Sequence, residues 1–252
     1  MTFDLVVATV GRVDELSRLL TSLEEQRHQG FRILLVDQND DDRVEAVLRT
    51  HPSLRIERLR SAKGLSRARN AALPHLQGDA VGFPDDDCVY PRDLLERVAA
   101  RLADWDGVTG REPWWTTGAA QLTRDNLWNR AISFTIFLRR DVVERVGEFD
   151  ERLGLPTSSG EEIDYLIRAL DSGARVLYDP ALVVEHPSKS VDPAIVGARD
   201  GESVGYILRK HRYGPRAVTR MLLRPAAGVV VEPRRARFHA ATLRGRLRGY
   251  RS

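Results

Sequence analysis

The sequence predicts an α/β protein built on a parallel sheet with helices on both faces. Two observations carry that expectation. Apolar runs of strand length recur at Phe3–Val10, Phe31–Asp37 and Asp79–Phe83, with amphipathic stretches between them, the alternation expected of β-α-β units. The polar residues that follow these runs are Thr9 and Arg12, then Asp37 and Gln38, then Asp85 to Asp87. They all fall beyond the carboxyl ends of strands, where open α/β sheets bind ligands.

Each element has its own signal. Phe3–Val10 is rich in β-branched residues and reads as a buried strand. After Gly11, Leu16, Leu19, Leu20 and Leu23 share one helical face. Phe31–Asp37 is a second buried strand, followed by the turn Gln38-Asn39-Asp40 and a short helix through Arg49. Leu54–Leu59 alternates like a half-exposed strand, and Ser66–Leu76 reads as a helix weakened by Pro74. The strand Asp79–Phe83 runs into Pro84-Asp85-Asp86-Asp87, and Pro91 suits the first position of a helix through Leu102. Residues 111–130 are irregular and carry Trp114, Trp115 and Trp128. Ile132–Leu138 resembles a strand, Arg140–Val146 and Gly160–Leu170 helices, and Arg175–Tyr178 and Leu182–Glu185 short strands. From Pro193 onward the pattern is mostly helical, without an internal repeat.

With 252 residues, 42% of them apolar and 30% charged, the chain can bury a sizeable core and is not disordered by composition. No apolar run approaches the roughly 18 residues that span a bilayer. Met1-Thr2-Phe3-Asp4 lacks the basic start of a secretory signal. A soluble cytoplasmic protein is therefore the default expectation. The single cysteine, Cys88, excludes a disulfide framework and a cysteine-built zinc site. An arginine-heavy composition, 36 Arg against three Lys, points to a bacterium with a GC-rich genome. The net charge of +3 is unevenly spread: Ile207–Ser252 holds 13 basic residues and one acid, Glu232, and Met1–Tyr206 holds 26 basic and 35 acidic residues. An acidic body thus carries a basic tail that suits anionic lipid, nucleic acid or an acidic partner.

Several groups could carry chemistry, and each has a plain structural alternative. Asp85, Asp86 and Asp87 are a dense set of hard oxygen ligands fit for magnesium or manganese, or else a solvated turn. Glu161, Glu162 and Asp164 open a helix, where acids favour the helix dipole; crowded carboxylates also make a general base. His186 is a metal or phosphate ligand, or a structural histidine. Trp114 and Trp115 are a sugar-stacking platform or core. Lys63 and Arg67 place cations near a helix start, where phosphates are well received, or line a solvated helix face.

The order of these segments is more specific than any one of them. TVGR at 9–12, VDQND at 36–40, KGLSRARN at 63–70, FPDDD at 83–87, GEFDERLG at 147–154, GEEIDYLIR at 160–168 and VVEHPS at 183–188 resemble the inverting GT-A glycosyltransferases of family two. The resemblance covers roughly Phe3 to Ser188. It implies a GT-A-type, Rossmann-like nucleotide-binding sheet with flanking helices, a nucleotide-sugar donor, a divalent metal and single displacement with inversion. By the same resemblance Thr9 and Arg12 lie near the nucleotide, Asp37 and Gln38 border the base, and Lys63 or Arg67 approach base or diphosphate. Asp85 and Asp87 correspond to the ends of the DxD motif, with Asp86 between them among the donor contacts and Asp87 as the direct metal ligand. Glu162, beside Glu161 and six residues before Arg168, corresponds to the carboxylate that deprotonates the acceptor hydroxyl; Asp164 orients the acceptor, and His186 contacts metal or diphosphate.

The chain departs from the pattern in Gln38, where many members have a second aspartate, and in Glu162, where aspartate is commoner. The expected donor is a uridine or thymidine diphosphate sugar ahead of a guanosine one. The acceptor is a glycan, a lipid-linked or a small molecule, engaged by residues 111–206, with residues 1–110 committed to the nucleotide. A basic helical extension, 207–252, follows. In it Leu243, Leu247 and Tyr250 form an apolar stripe among arginines, suited to peripheral contact with an anionic membrane at its inner face or to packing on the acidic body. The alternative of a different class is a non-catalytic sugar-nucleotide-binding or scaffolding protein. A nucleic-acid-binding role lacks any accompanying motif.

Overall fold

The first two apolar runs pair at the centre of a sheet. In the computed structural model, which describes residues 1–114, 118–154, 159–187 and 192–252, β1 (Phe3–Thr9) and β2 (Phe31–Asp37) are parallel from Phe3 opposite Phe31 to Thr9 opposite Asp37. The other strands are β3 (Ile56–Arg60), β4 (Ala80–Gly82), β5 (Gly107–Arg111), β6 (Ala120–Gln121), β7 (Phe137–Arg139) and β8 (Val176–Val183). Together they form an eight-stranded sheet in the order β3-β2-β1-β4-β7-β5-β8-β6. The helices are α1 (Val13–Glu24), α2 (Arg43–Thr50), α3 (Leu65–Ala72), α4 (Leu94–Arg101), α5 (Arg140–Val146), α6 (Glu161–Asp171), α7 (Pro193–Lys210), α8 (Pro215–Val231) and α9 (Ala236–Arg251). The fold is α/β, as expected, and flanking helices such as α1 bury Leu16, Leu19, Leu20 and Leu23 in its core.

The sheet is mixed rather than parallel throughout. β3, β2, β1 and β4 are parallel, but β7 runs antiparallel to both β4 and β5, and β6 antiparallel to β8. No crossover helix precedes β7. The stretch read as one strand, Ile132–Leu138, instead makes a 3-10 turn at Ser133–Thr135 before β7 begins. There Thr135 Oγ1 lies 2.9 Å from the Ile132 carbonyl and from Thr109 Oγ1, local bonds that compete with strand pairing.

β5, which holds Gly107 and Gly110, is not among the strands expected from the sequence. Both are required by close approach: a Cβ at Gly110 would lie 2.1 Å from the Leu182 carbonyl oxygen, and one at Gly107 would lie 2.4 Å from Leu138 Cδ2. The two short strands expected at 175–178 and 182–185 are one strand, β8. Its pairing with β5 shifts register between Thr109 and Arg111, an irregularity that accommodates Pro180. Pro74 ends α3 at Ala72, and the chain continues as a 3-10 turn, Leu73–His75. Pro91 stands in the turn before α4, whose Leu94 N–H reaches the Pro91 carbonyl at 2.9 Å.

The chain divides into two compact units, Met1–Phe149 with Tyr165–Pro187, and Asp150–Asp164 with Ser188–Ser252. The expected boundary at residue 206 falls inside α7. In the first unit Phe149 stacks on Tyr165 at 3.9 Å, and Asn70 bonds the Phe149 backbone through both its amide atoms. In the second, α7 packs on α9 backbone to backbone through Gly197, Gly201 and Gly205 on one helix and Thr242, Gly245 and Gly249 on the other. The face of α9 that packs is thus the glycine face. Leu247 and Tyr250, from the expected stripe, stay partly exposed.

Candidate active site

The parallel strands deliver their carboxyl ends to one edge, and the acidic triplet is built there. After β4 the chain bridges Asp85 to Ala8 of β1, then turns sharply, with Cys88 N–H donating to the Asp85 carbonyl at 3.2 Å. The turn sends its three carboxylates different ways. Asp86 points inward, accepting from Thr9 Oγ1 at 2.8 Å and from Arg12 Nη1 at 2.7 Å. The same Arg12 nitrogen reaches Asp87 Oδ2 at 2.8 Å. Asp85 is more open, with Ser133 Oγ at 3.3 Å and the buried Arg69 guanidinium at 3.4 Å.

Burial, with the neighbouring Asp87, raises the Asp86 carboxyl above its ordinary range against the pull of Arg12 and Thr9. Burial pulls Arg12 the other way, yet the three aspartates hold it more firmly protonated. Burial also pushes the Cys88 thiol well up, so the thiol is an inert wall of the turn.

His186, delivered by the segment after β8, completes the cluster. Its Nε2 lies 3.0 Å from Asp87 Oδ1, and its ring stacks on Phe134 at 4.8 Å and 6°. Asp85, Asp87 and His186 each present one donor atom, all within 4.8 Å of one another. Two carboxylates and an imidazole are a donor set that manganese or magnesium accepts, so these residues fit a divalent ion. Behind the imidazole, Glu112 Oε1 stands 3.8 Å from Nδ1. Burial raises the Glu112 carboxyl, against His186 and the bonded Trp114 side chain. A cavity of about 350 Å³ opens beside the cluster, lined by Asp87, His186, Arg18, Glu185 and the exposed Trp114. Trp115 lies outside the described residues.

The residues expected around the base divide differently. Asp37 is fully buried and spends both oxygens inside the protein: Oδ1 accepts from Asn39, and Oδ2 from Arg58 at 2.6 Å. Although burial works against it, the Asn39 amide and Arg58 hold the Asp37 carboxyl below its usual range. Gln38 Oε1 accepts from Gly64 N–H at 2.7 Å and so anchors the start of α3. Lys63 is exposed and pairs with Asp40, and Arg67 is exposed on α3. It is Arg69, one turn-face away, that is buried, with its guanidinium over Phe83 and Phe149 at 5.7 and 5.3 Å.

The second acidic group opens α6, in the other unit. Glu161 is buried and Glu162 half-buried. Asp164 is fully buried, with Lys210 Nζ and His211 Nε2 each 2.7 Å from its Oδ1. Nearby, Asp150 receives Tyr206 Oη at 2.6 Å and Lys210 at 2.7 Å. Asp164 therefore ties the start of α6 to the end of α7. Glu112, Arg69 and Phe134 escaped the sequence reading. Only Arg69 lay inside a recognised segment, and nothing in its spacing separated it from Arg67.

Solved glycosyltransferases share this α/β architecture. The mannosyltransferase PcManGT from Pyrobaculum calidifontis, solved with GDP-Man and Mn2+, superposes with a TM-score of 0.73 at 18% identity, over 98% of this chain and 86% of that one. S. aureus TarS 1-349 in complex with UDP gives 0.63 at 16%, over 100% and 91%. In sequence, the chain is 26% identical over 208 residues to the pre-mycofactocin glycosyltransferase of Mycobacterium tuberculosis, covering 73% of this chain and 42% of that relative. It thus spans less than half the length of that relative. The family model "Glycosyl transferase family 2" matches residues 4–147. The chain belongs to glycosyl transferase family 2.

Proposed function

We propose that this enzyme transfers a sugar from a nucleoside-diphosphate sugar to an acceptor hydroxyl with inversion, and that its donor site depends on a divalent metal. The observation that carries the reading is the convergence of Asp85, Asp87 and His186 at the ligand edge of a family 2 sheet. Those three residues would hold manganese or magnesium, and the ion would supply charge neutralisation for the diphosphate leaving group. Arg12 clamps Asp87 through Oδ2 and turns Oδ1 toward His186, so the protein positions the ligand atoms beforehand. Glu112 Oε1 stands 3.8 Å from Nδ1 and adds a carboxyl group behind the ring.

An acceptor hydroxyl is a poor nucleophile at neutral pH and needs a positioned carboxylate. The family resemblance assigns that role to Glu162, half-buried in the first turn of α6, where Asp164 is held by Lys210 and His211. Trp114, exposed at the mouth of the cavity, suits stacking against a sugar ring. A uridine or thymidine diphosphate sugar remains the expected donor ahead of a guanosine one, although Gln38 is buried with its Oε1 on the Gly64 N–H. The similar structures hold GDP-Man in one case and UDP in another. The acceptor is a glycan, a lipid-linked or a small molecule, and the basic C-terminal segment meets anionic lipid from the cytoplasmic side.

A hydrolysis screen across nucleotide sugars, with and without manganese, tests the core of the proposal. Metal-stimulated release of nucleoside diphosphate from one or two donors is the expected result. Nucleotide-sugar binding without turnover in any acceptor mixture would instead mark a non-catalytic binding protein.

A further inference from the structure

The lipid-facing surface can be assigned more closely than to the tail as a whole. α8 packs its Pro225 and Gly228 side on α9: Pro225 is buried, a Cβ at Gly228 would meet the His239 ring at 2.5 Å, and Arg246 of α9 bonds the Met221 carbonyl. The opposite side of α8 is open to solvent and carries aliphatic side chains. Leu223 is 61% exposed, Val230 80% and Val231 76%, an unfavourable arrangement in water for three aliphatic side chains. Thr219, Leu223 and Ala227 follow at four-residue spacing, with Val230 three further on, so they form one stripe. Arg216, Arg220 and Arg224, again four apart, run alongside it, and α8 contains no acid. An open groove of about 750 Å³ follows this face.

We propose that this solvent face of α8 is the surface by which the protein lies on an anionic lipid bilayer, with Leu223, Val230 and Val231 entering the headgroup–acyl boundary and Arg216, Arg220 and Arg224 pairing with lipid phosphates. Aliphatic side chains beside guanidinium groups on one helical arc are what an interfacial helix requires. Guanidinium forks match phosphate geometry, and their weak hydration suits the interface. A second copy of the chain fits poorly, because a face-to-face contact would bring six arginines together without one acid. Nucleic acid would reward the arginines but not the exposed valines, and this face has no aromatic side chain to stack on bases. The assignment rests on the reading of the basic segment as lipid-binding, and it is independent of the catalytic roles.

The test is sedimentation of the full chain with vesicles of phosphatidylcholine alone and of phosphatidylcholine with 30% phosphatidylglycerol, at low and high salt. Binding confined to the anionic vesicles and weakened by salt is expected. The triple substitution Arg216→Gln, Arg220→Gln, Arg224→Gln should lower partitioning roughly 100-fold, at about a factor of five for each basic residue. Leu223→Ser with Val230→Ser should lower it about ten-fold. All five positions are solvent-facing, so circular dichroism and donor hydrolysis should stay at wild-type values. Leu247→Ser with Tyr250→Ser, on α9, should change binding by less than about two-fold.

If anionic vesicles bind and the α9 pair abolishes binding where the α8 variants do not, the basic segment is lipid-binding but its surface is not α8. If no vesicle binds at low salt, both readings fall. Self-association, or DNA binding without vesicle binding, that the α8 variants remove would also overturn the assignment.

Discussion

His186 Nε2 lies 3.0 Å from Asp87 Oδ1, although 99 positions separate the two residues in the chain. The pair joins the turn after β4 to the segment after β8, and with Asp85 it makes the only compact metal-ligating group of this kind among the described residues. Nucleoside-diphosphate affinity should therefore rise when manganese is added to the wild-type protein. Asp87→Ala should remove that gain, and His186→Ala should reduce it, with calorimetric titration as the measurement. Metal-independent binding and turnover would refute the site.

Glu112 should act on the metal through His186 alone. Glu112→Gln is expected to weaken manganese binding by about three-fold, as loss of a carboxyl 3.8 Å from Nδ1, read by electron paramagnetic resonance titration of free Mn2+. Glu112→Asp should recover part of the loss. A purely structural role would show instead as lowered thermal stability with manganese affinity intact.

Glu162→Gln keeps the shape of the side chain but cannot take a proton. Turnover should fall by about two to four orders of magnitude, with donor affinity nearly unchanged. Glu161→Gln, at a buried position, should have the smaller effect on turnover. The opposite ranking would shift the assigned base by one residue.

Asp37 should matter to stability more than to donor binding. Its carboxyl is held below the usual range by Asn39 and Arg58, so the stabilisation is present above the unfolded value, about pH 3.9, and is lost as pH falls through the lower native value. Asp37→Asn should cost about 1–3 kcal/mol at pH 7, since it removes the buried one of the three carboxylates that hold Arg58. The two proteins should converge in urea unfolding as the pH drops toward 2.

Gly249→Ala places a Cβ 1.9 Å from the Glu202 carbonyl oxygen. The α7–α9 contact must open, at about 1–3 kcal/mol as for other overpacked sites. Gly214→Ala, with no atom within 4 Å of its Cβ, is the matched control. Limited proteolysis of residues 193–252 should accelerate for the first variant only.

Much of this protein is written in local pattern. The strands Phe3–Thr9 and Phe31–Asp37 and the leucine face of α1 are legible because burial on a sheet or helix imposes a short period on the sequence. The acidic triplet is legible because a strand leads straight into it. The ordered segments from TVGR to VVEHPS carry the resemblance to the family to which the chain belongs. Long-range geometry decided the rest. β5 has no apolar run to mark it, and Gly107 and Gly110 are explained only by Leu138 and Leu182 pressed against them. Arg67 and Arg69 are equivalent in sequence, and only the aromatic pocket of Phe83 and Phe149 selects the second. Asp37 and Asp164 look like free carboxylates until Arg58, Lys210 and His211 arrive from distant positions. Periodicity records which side of an element is buried, but the partner of a charge is fixed by which elements meet, and that is a property of the folded chain alone.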